Sequence, residues 1–184
     1  SPYLLESTLC PLADDGGHIV FDKEGIDAAT SRLASLAVGM GWGMSAENEK
    51  ILSYILTEKS PPLVIDADGL NTLSHMNKNI FKTTKCRVVL TPHLKEFERL
   101  SCLAREDIER DPVACAKDFA REYGLILLLK GSATIITDGD EVFITDRGCA
   151  GMATAGSGDV LSGVLAGLLG YMDCTSMTVA LGAY

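Results

Sequence analysis

The chain has 184 residues, of which 47% are hydrophobic, and its 16 basic and 25 acidic residues give a formal net charge of -9. A chain of this length and hydrophobicity can bury a sizeable core, and we expect residues 1–184 to form one domain. The acidic balance argues against a broad nucleic-acid surface or binding to an anionic membrane, so any phosphate ligand has to be held by local donors.

The first part of the chain predicts two strands and two helices. A strand is expected at 18–21 after a "DDGG" turn, and the run 34–43 reads as a short strand that continues into a glycine-rich loop. Ser45 is a plausible N-cap for a helix with acidic residues in its first turn. The apolar positions with helical spacing are Ile26, Ala29, Leu33 and Leu36 before that loop, and Ile51, Leu52, Ile55 and Leu56 after it.

The middle of the chain predicts a mostly parallel sheet. The runs 61–68, 86–93 and 125–131 are apolar without alternation, which is typical of strands that are covered on both faces. A helix is expected from Asp111 and Pro112 to Gly124, and the alternating run 133–145 predicts a hairpin at Asp138–Gly139. The resulting order predicts an α/β fold, with a layered, mostly parallel sheet and helices on both faces.

The stretch 160–172 is uncharged and predicts a buried helix that is too short to cross a membrane. Gly163 and Gly167 within it predict close packing of that helix against a neighbour. The six cysteines form no CxxC pair, and the three histidines do not fall at metal-ligand spacing with them. We interpret the cysteines as scattered buried thiols of a cytoplasmic protein without a signal peptide. The chain starts without Met and stops inside an apolar helix, which indicates part of a longer protein.

The stretch "ATAGSGDVLSG" (153–163) places glycines directly before this helix. Glycines let the backbone approach a phosphate, and the free N–H groups of a first helical turn point at it. Asp159 then either takes the proton of a hydroxyl that attacks phosphorus, or it caps the helix. The residues alone favour neither reading.

Other polar residues follow predicted strands, where ligands of open parallel sheets bind. Asp66 and Asp68 are possible Mg²⁺ ligands, although we favour Asp68 as a helix cap. His93 is either a ligand contact or a loop histidine whose hydrogen bonds are satisfied. Lys130 and Gly131 either present an ammonium group and backbone N–H groups to phosphates or are simply solvated.

Five segments, taken in order, resemble the ADP- or ATP-dependent NAD(P)H-hydrate dehydratases of the ribokinase-like superfamily. They are "GMGWG", "VIDADGLNTL", "LTPHLKEFERL", "LLLKGSATIITDGD" and "GMATAGSGDVLSGVLAGLLG", and the likeness runs from about Leu36 to Tyr184. Met40 and Trp42 depart from the proline and leucine that are usual in the first segment, and Gly69 stands where alanine is usual. Family members also begin with a further βα unit and continue past "ALGAY".

The resemblance implies that ADP or ATP, with Mg²⁺, drives dehydration of NADHX and NADPHX, the hydrates of NADH and NADPH. It implies a homo-oligomer, and fusion to an NAD(P)HX epimerase domain in the full-length chain. Asp159 would be the catalytic base and would also border the hydrate. The other residues expected to border the hydrate are Gly43, His93, Leu94, Lys95, Glu96, Phe97, Glu98 and Arg99. Those expected to border the nucleotide are Lys130, Gly131, Ser132, Ala133, Thr134, Cys149, Ala150, Gly151, Met152, Ala153, Thr154, Ala155, Gly156, Ser157 and Gly158.

Two alternatives remain from the sequence. A small-molecule kinase of the same superfamily would share the "GSGD" chemistry, but "DADGLN" and "TPHLKEF" favour the dehydratase. A non-catalytic nucleotide-binding module is a reading of a different class.

Overall fold

The computed structural model describes residues 9–145 and 154–184. Its elements in chain order are β1 (Asp14–Asp15), β2 (His18–Ile19), α1 (Lys23–Thr30), β3 (Leu36–Val38), α2 (Ala46–Glu58), β4 (Leu63–Ile65), α3 (Asp68–His75), a 3₁₀ helix (Lys78–Thr83), β5 (Val88–Leu90), α4 (Leu94–Ser101), α5 (Arg105–Arg110), α6 (Pro112–Tyr123), β6 (Ile126–Leu129), β7 (Thr134–Thr137), β8 (Val142–Thr145), α7 (Ser157–Leu169) and α8 (Ser176–Ala183).

A six-stranded sheet forms the centre of the fold, with β3 to β8 side by side in chain order. β3, β4, β5 and β6 are parallel, and β7 and β8 complete the sheet as an antiparallel hairpin. The connections between the parallel strands contain helices, as parallel pairing requires. The predicted layered α/β fold with a mostly parallel sheet is therefore confirmed.

Both faces of the sheet are covered because its strands are apolar on both sides. Leu63 and Ile65 of β4 point into a core shared with α2, α3, α4 and α6, whereas Val64 between them points into a second core with α7 and α8. Successive side chains of a strand point to opposite faces, so an unbroken apolar run serves both layers. The expectation of helices on both faces is correct.

The segment before β3 differs from the prediction. His18–Ile19 pairs antiparallel with Asp14–Asp15 in a separate two-stranded ribbon, and it is not a strand of the main sheet. Helix α1 ends at Thr30, so the helical spacing read through Leu33 and Leu36 was wrong. Leu36 instead begins β3 and pairs with Leu63, where its side chain is buried.

Several predicted element ends are confirmed. The Ser45 hydroxyl accepts from the Glu47 backbone N–H at 3.1 Å at the start of α2. The Asp111 carboxylate accepts from the Ala114 N–H at 2.9 Å at the start of α6, and Gly124 ends that helix in the left-handed region. Each satisfies backbone groups that a helix end leaves unpaired.

Helix α7 is only half buried, contrary to the expectation of a buried helix at 160–172. Ser162, Leu165 and Leu169 face the sheet, whereas Val160 is 67% exposed. A Cβ added at Gly163 or Gly167 would meet no described atom within 4 Å, so the expected close packing is absent among the described residues. The reason is geometric, since only one stripe of a helix can face a sheet. No helix in the described part of the chain is long and apolar enough to span a membrane.

The expectation of scattered buried thiols is correct only in part. Among the five cysteines that the structure describes, all are free, Cys86 is buried, and Cys10 and Cys102 are exposed. Burial raises the pKa of the Cys86 thiol to about 11, since a thiolate loses hydration there. Cys149 lies outside the described residues.

Candidate active site

The segments that follow the parallel strands meet at one edge of the sheet. Asp66 follows β4, His93 follows β5 and Lys130 follows β6. β5 and β6 stay paired beyond their ends, since the Lys130 N–H donates to the Pro92 carbonyl at 2.8 Å. The N-terminus of α7 lies at the same edge, because Gly158 is adjacent to Asp66 and Lys130. The predicted gathering of "DADGLN" and "GSGD" at one edge is confirmed.

One group of residues surrounds the buried Asp66 carboxylate, which is 3% exposed. The Lys130 ammonium lies 2.9 Å from its Oδ1, and the Ser162 hydroxyl donates to its Oδ2 at 2.9 Å. A Cβ built on Gly158 would lie 3.5 Å from Asp66 Oδ2 and 3.7 Å from Lys130 Nζ. The bare glycine therefore leaves the ammonium close to the backbone of the first turn of α7. We call Asp66, Lys130, Ser162 and Gly158 the lysine cluster.

The first turn of α7 is capped without a side chain. Gly156 is the N-cap residue, with φ of 89°, and it makes no side-chain capping bond. Asp159 lies inside the first turn, is exposed, and makes no hydrogen bond or ion pair with a described residue. The reading of Asp159 as an N-cap is therefore wrong. Its carboxylate is open to solvent beside N–H groups that have no acceptor within the helix.

The segments that we expect to border the nucleotide are described only in part. Thr154, Ala155 and Gly156 are exposed, and the Ser157 N–H donates to the Thr154 carbonyl at 3.2 Å, so that N–H group is used within the turn. After β6, Gly131 and Ser132 are exposed, whereas Ala133 and Thr134 are half-buried. The expected residues Cys149, Ala150, Gly151, Met152 and Ala153 lie outside the described residues.

The backbone at Ala67 separates two carboxylates. Ala67 has φ of 49° and ψ of -121°, a conformation that costs a residue with a side chain about 1–3 kcal/mol. Asp66 before it joins the lysine cluster, and Asp68 after it accepts from the Gly43 N–H at 2.8 Å. Asp68 is the first residue of α3 and Ala67 is its N-cap, so the favoured reading of Asp68 as the helix cap is wrong.

Asp68 belongs to a second group of residues, which we call the arginine chain: Gly43, Asp68, Asn71 and Arg99. The Asn71 amide lies 3.5 Å from Asp68 Oδ1, and the Arg99 guanidinium donates to Asn71 Oδ1 at 2.8 Å. The structure thereby brings together Gly43 and Arg99, two residues expected to border the hydrate. Asn48 fixes the loop from the other side by donating to the Gly43 carbonyl at 2.8 Å.

Helix α4 presents some of its predicted site residues and buries others. His93 is its N-cap in a capping box, in which His93 Nδ1 accepts from the Glu96 N–H and Glu96 accepts from the His93 N–H. This agrees with the interpretation of His93 as a histidine whose hydrogen bonds are satisfied within the protein. Phe97 is fully buried against Phe119, which assigns its side chain to the core. The predicted residues on α4 that lie exposed are Lys95 and Arg99; Leu94 and Glu98 are half-buried.

The described side chains form no cluster of three or more metal-binding residues at this edge. No group of three or more histidines, cysteines, aspartates or glutamates lies within metal-binding reach among residues 9–145 and 154–184. Both oxygens of Asp66 already accept hydrogen bonds, one from an ammonium group. A cation at that carboxylate would compete with the Lys130 ammonium for its negative charge.

Sequence reasoning considered Asp66 only as a possible Mg²⁺ ligand, and it missed Ser162 and Asn71 as members of the site. The signal for Asp66 was present, because a carboxylate that ends an apolar run at a sheet edge has to find a buried partner. Ser162 gave no signal, since a serine in the body of a helix usually serves no ligand. Asn71 became visible only through its link to Arg99.

Comparison with known proteins identifies the family. The family model described as NAD(P)H-hydrate dehydratase matches residues 12–184. The chain belongs to the NAD(P)H-hydrate dehydratase family.

Two relatives illustrate the match. The chain is 38% identical over 166 residues to the bifunctional NAD(P)H-hydrate repair enzyme of Moorella thermoacetica, covering 88% of this chain and 31% of that protein. It is 35% identical over 156 residues to the ADP-dependent (S)-NAD(P)H-hydrate dehydratase of Neisseria meningitidis, covering 83% and 52%. The chain thus spans about a third of the first relative and about half of the second.

Solved structures agree on the fold. A ribokinase-like superfamily protein from Enterococcus faecalis has a TM-score of 0.72 and 29% identity, covering 90% of this chain and 58% of that one. The ADP/ATP-dependent NAD(P)H-hydrate dehydratase of Bacillus subtilis, co-crystallised with ATP and Mg²⁺, has a TM-score of 0.70 and 24% identity, covering 82% and 52%. The ribokinase-like fold is therefore confirmed.

Proposed function

We propose that this protein uses ADP or ATP to dehydrate the (6S) forms of NADHX and NADPHX, which returns NADH and NADPH. The observation that carries the proposal is the open Asp159 carboxylate in the first turn of α7. It lies at the same sheet edge as the lysine cluster and the arginine chain. A base, a cation and free N–H groups that converge on one place suit phosphoryl transfer.

The reaction has two steps, transfer of a phosphoryl group to the hydrate hydroxyl and then elimination of phosphate. Asp159 takes the proton of the hydrate hydroxyl as its oxygen attacks the terminal phosphorus of the nucleotide, and the shortened nucleotide leaves. Hydroxide is a poor leaving group, whereas phosphate is a good one. The lone pair of the ring nitrogen then expels phosphate, and loss of a proton from the neighbouring ring carbon restores the reduced nicotinamide.

Each side of the edge would hold one substrate. We assign Lys130 to Thr134 and the segment Cys149 to Gly158 to the nucleotide phosphates, with the Lys130 ammonium and the α7 N–H groups as donors. We assign Gly43 and the exposed part of His93 to Arg99 to the hydrate. A Mg²⁺ ion that arrives with the nucleotide would be coordinated by phosphate oxygens and water, as is usual for this ion.

We also have expectations for the neighbouring domain, the oligomeric state and the compartment of this protein. The relatives named bifunctional favour a longer chain in which this domain acts beside an epimerase domain. We also expect a cytoplasmic homo-oligomer.

The test supplies the full-length gene product with the hydrate and either ADP or ATP. We expect reduced nicotinamide, detected by its near-ultraviolet absorbance, and inorganic phosphate to form in equal amounts. Neither product should form when both ADP and ATP are left out. A kinase would release a phosphorylated product and no inorganic phosphate. A binding module would retain nucleotide and form neither product, and each of these outcomes would overturn the proposal.

A further inference from the structure

The Asp66 carboxylate joins three segments that are far apart in the chain. Its Oδ1 accepts from the Lys130 ammonium and from the Ala67 N–H at 2.8 Å, while its Oδ2 accepts from the Ser162 hydroxyl. These contacts tie the ends of β4 and β6 to the second turn of α7. Asp66 is buried and the Lys130 side chain is 25% exposed, so the charge pair opens toward solvent only at its ammonium end.

Stability alone does not account for such a pair. A buried ion pair gains little over apolar residues of the same volume, because desolvation offsets the attraction between the charges. The strand residues that directly precede the pair, Ile65 and Leu129, are buried and apolar. What the ion pair adds is a fixed position for one ammonium group beside Gly158.

We propose that Asp66 is a positioning residue, which holds the Lys130 ammonium and the first turn of α7 in register for the same phosphate. The inference rests on the phosphoryl transfer proposed above. Through Oδ1 the carboxylate fixes the direction of Lys130. Through Oδ2 it fixes Ser162, which stands one turn after Gly158 on the same helix face and so sets the rotation that presents Asp159.

The first test is Asp66→Asn, which keeps the size of the side chain and removes its charge. We expect kcat to fall by about 10- to 100-fold, since a misplacement of about 1 Å carries such a cost. The affinity for ADP is expected to hold or to rise by up to about 10-fold, because the freed ammonium is no longer neutralised by a carboxylate. A general folding defect would lower both quantities together.

A double-mutant cycle with Lys130→Met separates positioning from structural support. If Asp66 acts in part through Lys130, the loss of kcat caused by Asp66→Asn becomes smaller once the ammonium is gone, and what remains is the part carried by Ser162. The cycle also has a stability readout. Lys130→Met leaves a buried carboxylate without its cation, and Asp66→Asn in that background is expected to raise the unfolding midpoint again.

The control is Asp27→Asn, which removes a carboxylate that also has a hydroxyl and an ammonium as partners but whose side chain is 41% exposed, whereas that of Asp66 is 4% exposed, and that lies away from the site. Asp27 accepts from the Tyr54 hydroxyl at 2.6 Å and pairs with the Lys59 ammonium, just as Asp66 is shared by a serine and a lysine. We expect this variant to keep kcat within about 2-fold of the unaltered protein. Should Asp66→Asn fail to fold, Ser162→Ala removes one anchor alone and is expected to lower kcat at unchanged ADP affinity.

Two results would overturn the inference: an ADP affinity that falls in step with kcat, or a kcat loss that persists undiminished in the Lys130→Met background. A protein that binds ADP but never converts the hydrate would refute the proposed function instead. The positioning role would then be supported if Asp66→Asn keeps or raises the ADP affinity and raises the unfolding midpoint in the Lys130→Met background. It would be contradicted if either result fails. A protein that binds no ADP contradicts both.

Discussion

The contact between Gly39 and the "DADGLN" turn allows a sharp stability prediction for Gly39→Ala. A Cβ at Gly39 would lie 2.1 Å from the Asp66 carbonyl oxygen and 2.5 Å from the Gly69 nitrogen. Both are backbone atoms, which have no rotamer that could move them away. Gly39 also has φ of 107°, where a side chain is strained.

The expected loss follows from these two terms. Backbone strain contributes about 1–3 kcal/mol and overpacking about 1–3 kcal/mol more, so the free energy of unfolding should fall by about 2–6 kcal/mol. That is a large part of the roughly 5–15 kcal/mol that keeps a domain folded.

Gly41→Ala is the matched control in the same loop. Gly41 has φ of 69°, and a Cβ there would meet no described atom within 4 Å. Only the left-handed backbone then costs free energy, about 1 kcal/mol. Equilibrium urea unfolding, followed by far-ultraviolet circular dichroism and by the single tryptophan, Trp42, measures both variants. Equal losses for the two would show that the Gly39 contact is not as described.

Two further predictions concern backbone strain and thiol reactivity. In Ala67→Gly, the free energy of unfolding should stay the same or rise by about 1 kcal/mol, because glycine relieves the backbone strain. The kcat of this variant should fall, because the two flanking carboxylates become less well fixed. An unchanged kcat would contradict the positioning of Asp66 and Asp68 by this turn. Alkylation at about pH 8 should modify Cys10 and Cys102 at least about 100-fold faster than Cys86. The Cys86 thiol has a pKa of about 11, so only about 10⁻³ of it is thiolate at this pH. Mass spectrometry measures the rates, and equal rates in the folded protein would refute the burial of Cys86.

The elements that sequence predicted well are those set by local chemistry. The unbroken apolar runs around Leu63, Val88 and Ile126 became the parallel strands, because a strand with two buried faces leaves that pattern. The caps at Ser45 and Asp111 were also readable, since capping depends on residues only a few positions away.

The failures have a common physical origin in contacts made at a distance. Asp68 has the composition of a cap, but the Gly43 N–H offers it a partner from another loop. Gly163 and Gly167 have the spacing of a packed helix, yet which stripe of α7 faces the sheet is decided by Ser162 and Leu165. Asp66 and Ser162 are separated by 96 positions, and no local pattern joins them.

The most direct measurement of the central claim is turnover by Asp159→Asn in the full-length gene product. The substitution keeps the shape and removes the proton acceptor, so kcat should fall by about 10²- to 10⁴-fold. ADP should bind as well or slightly more tightly, since a negative charge near its phosphates is lost. Stability should fall by no more than about 1 kcal/mol, the contribution of an acidic residue in a first helical turn. Full turnover in a well-folded Asp159→Asn protein would contradict the account.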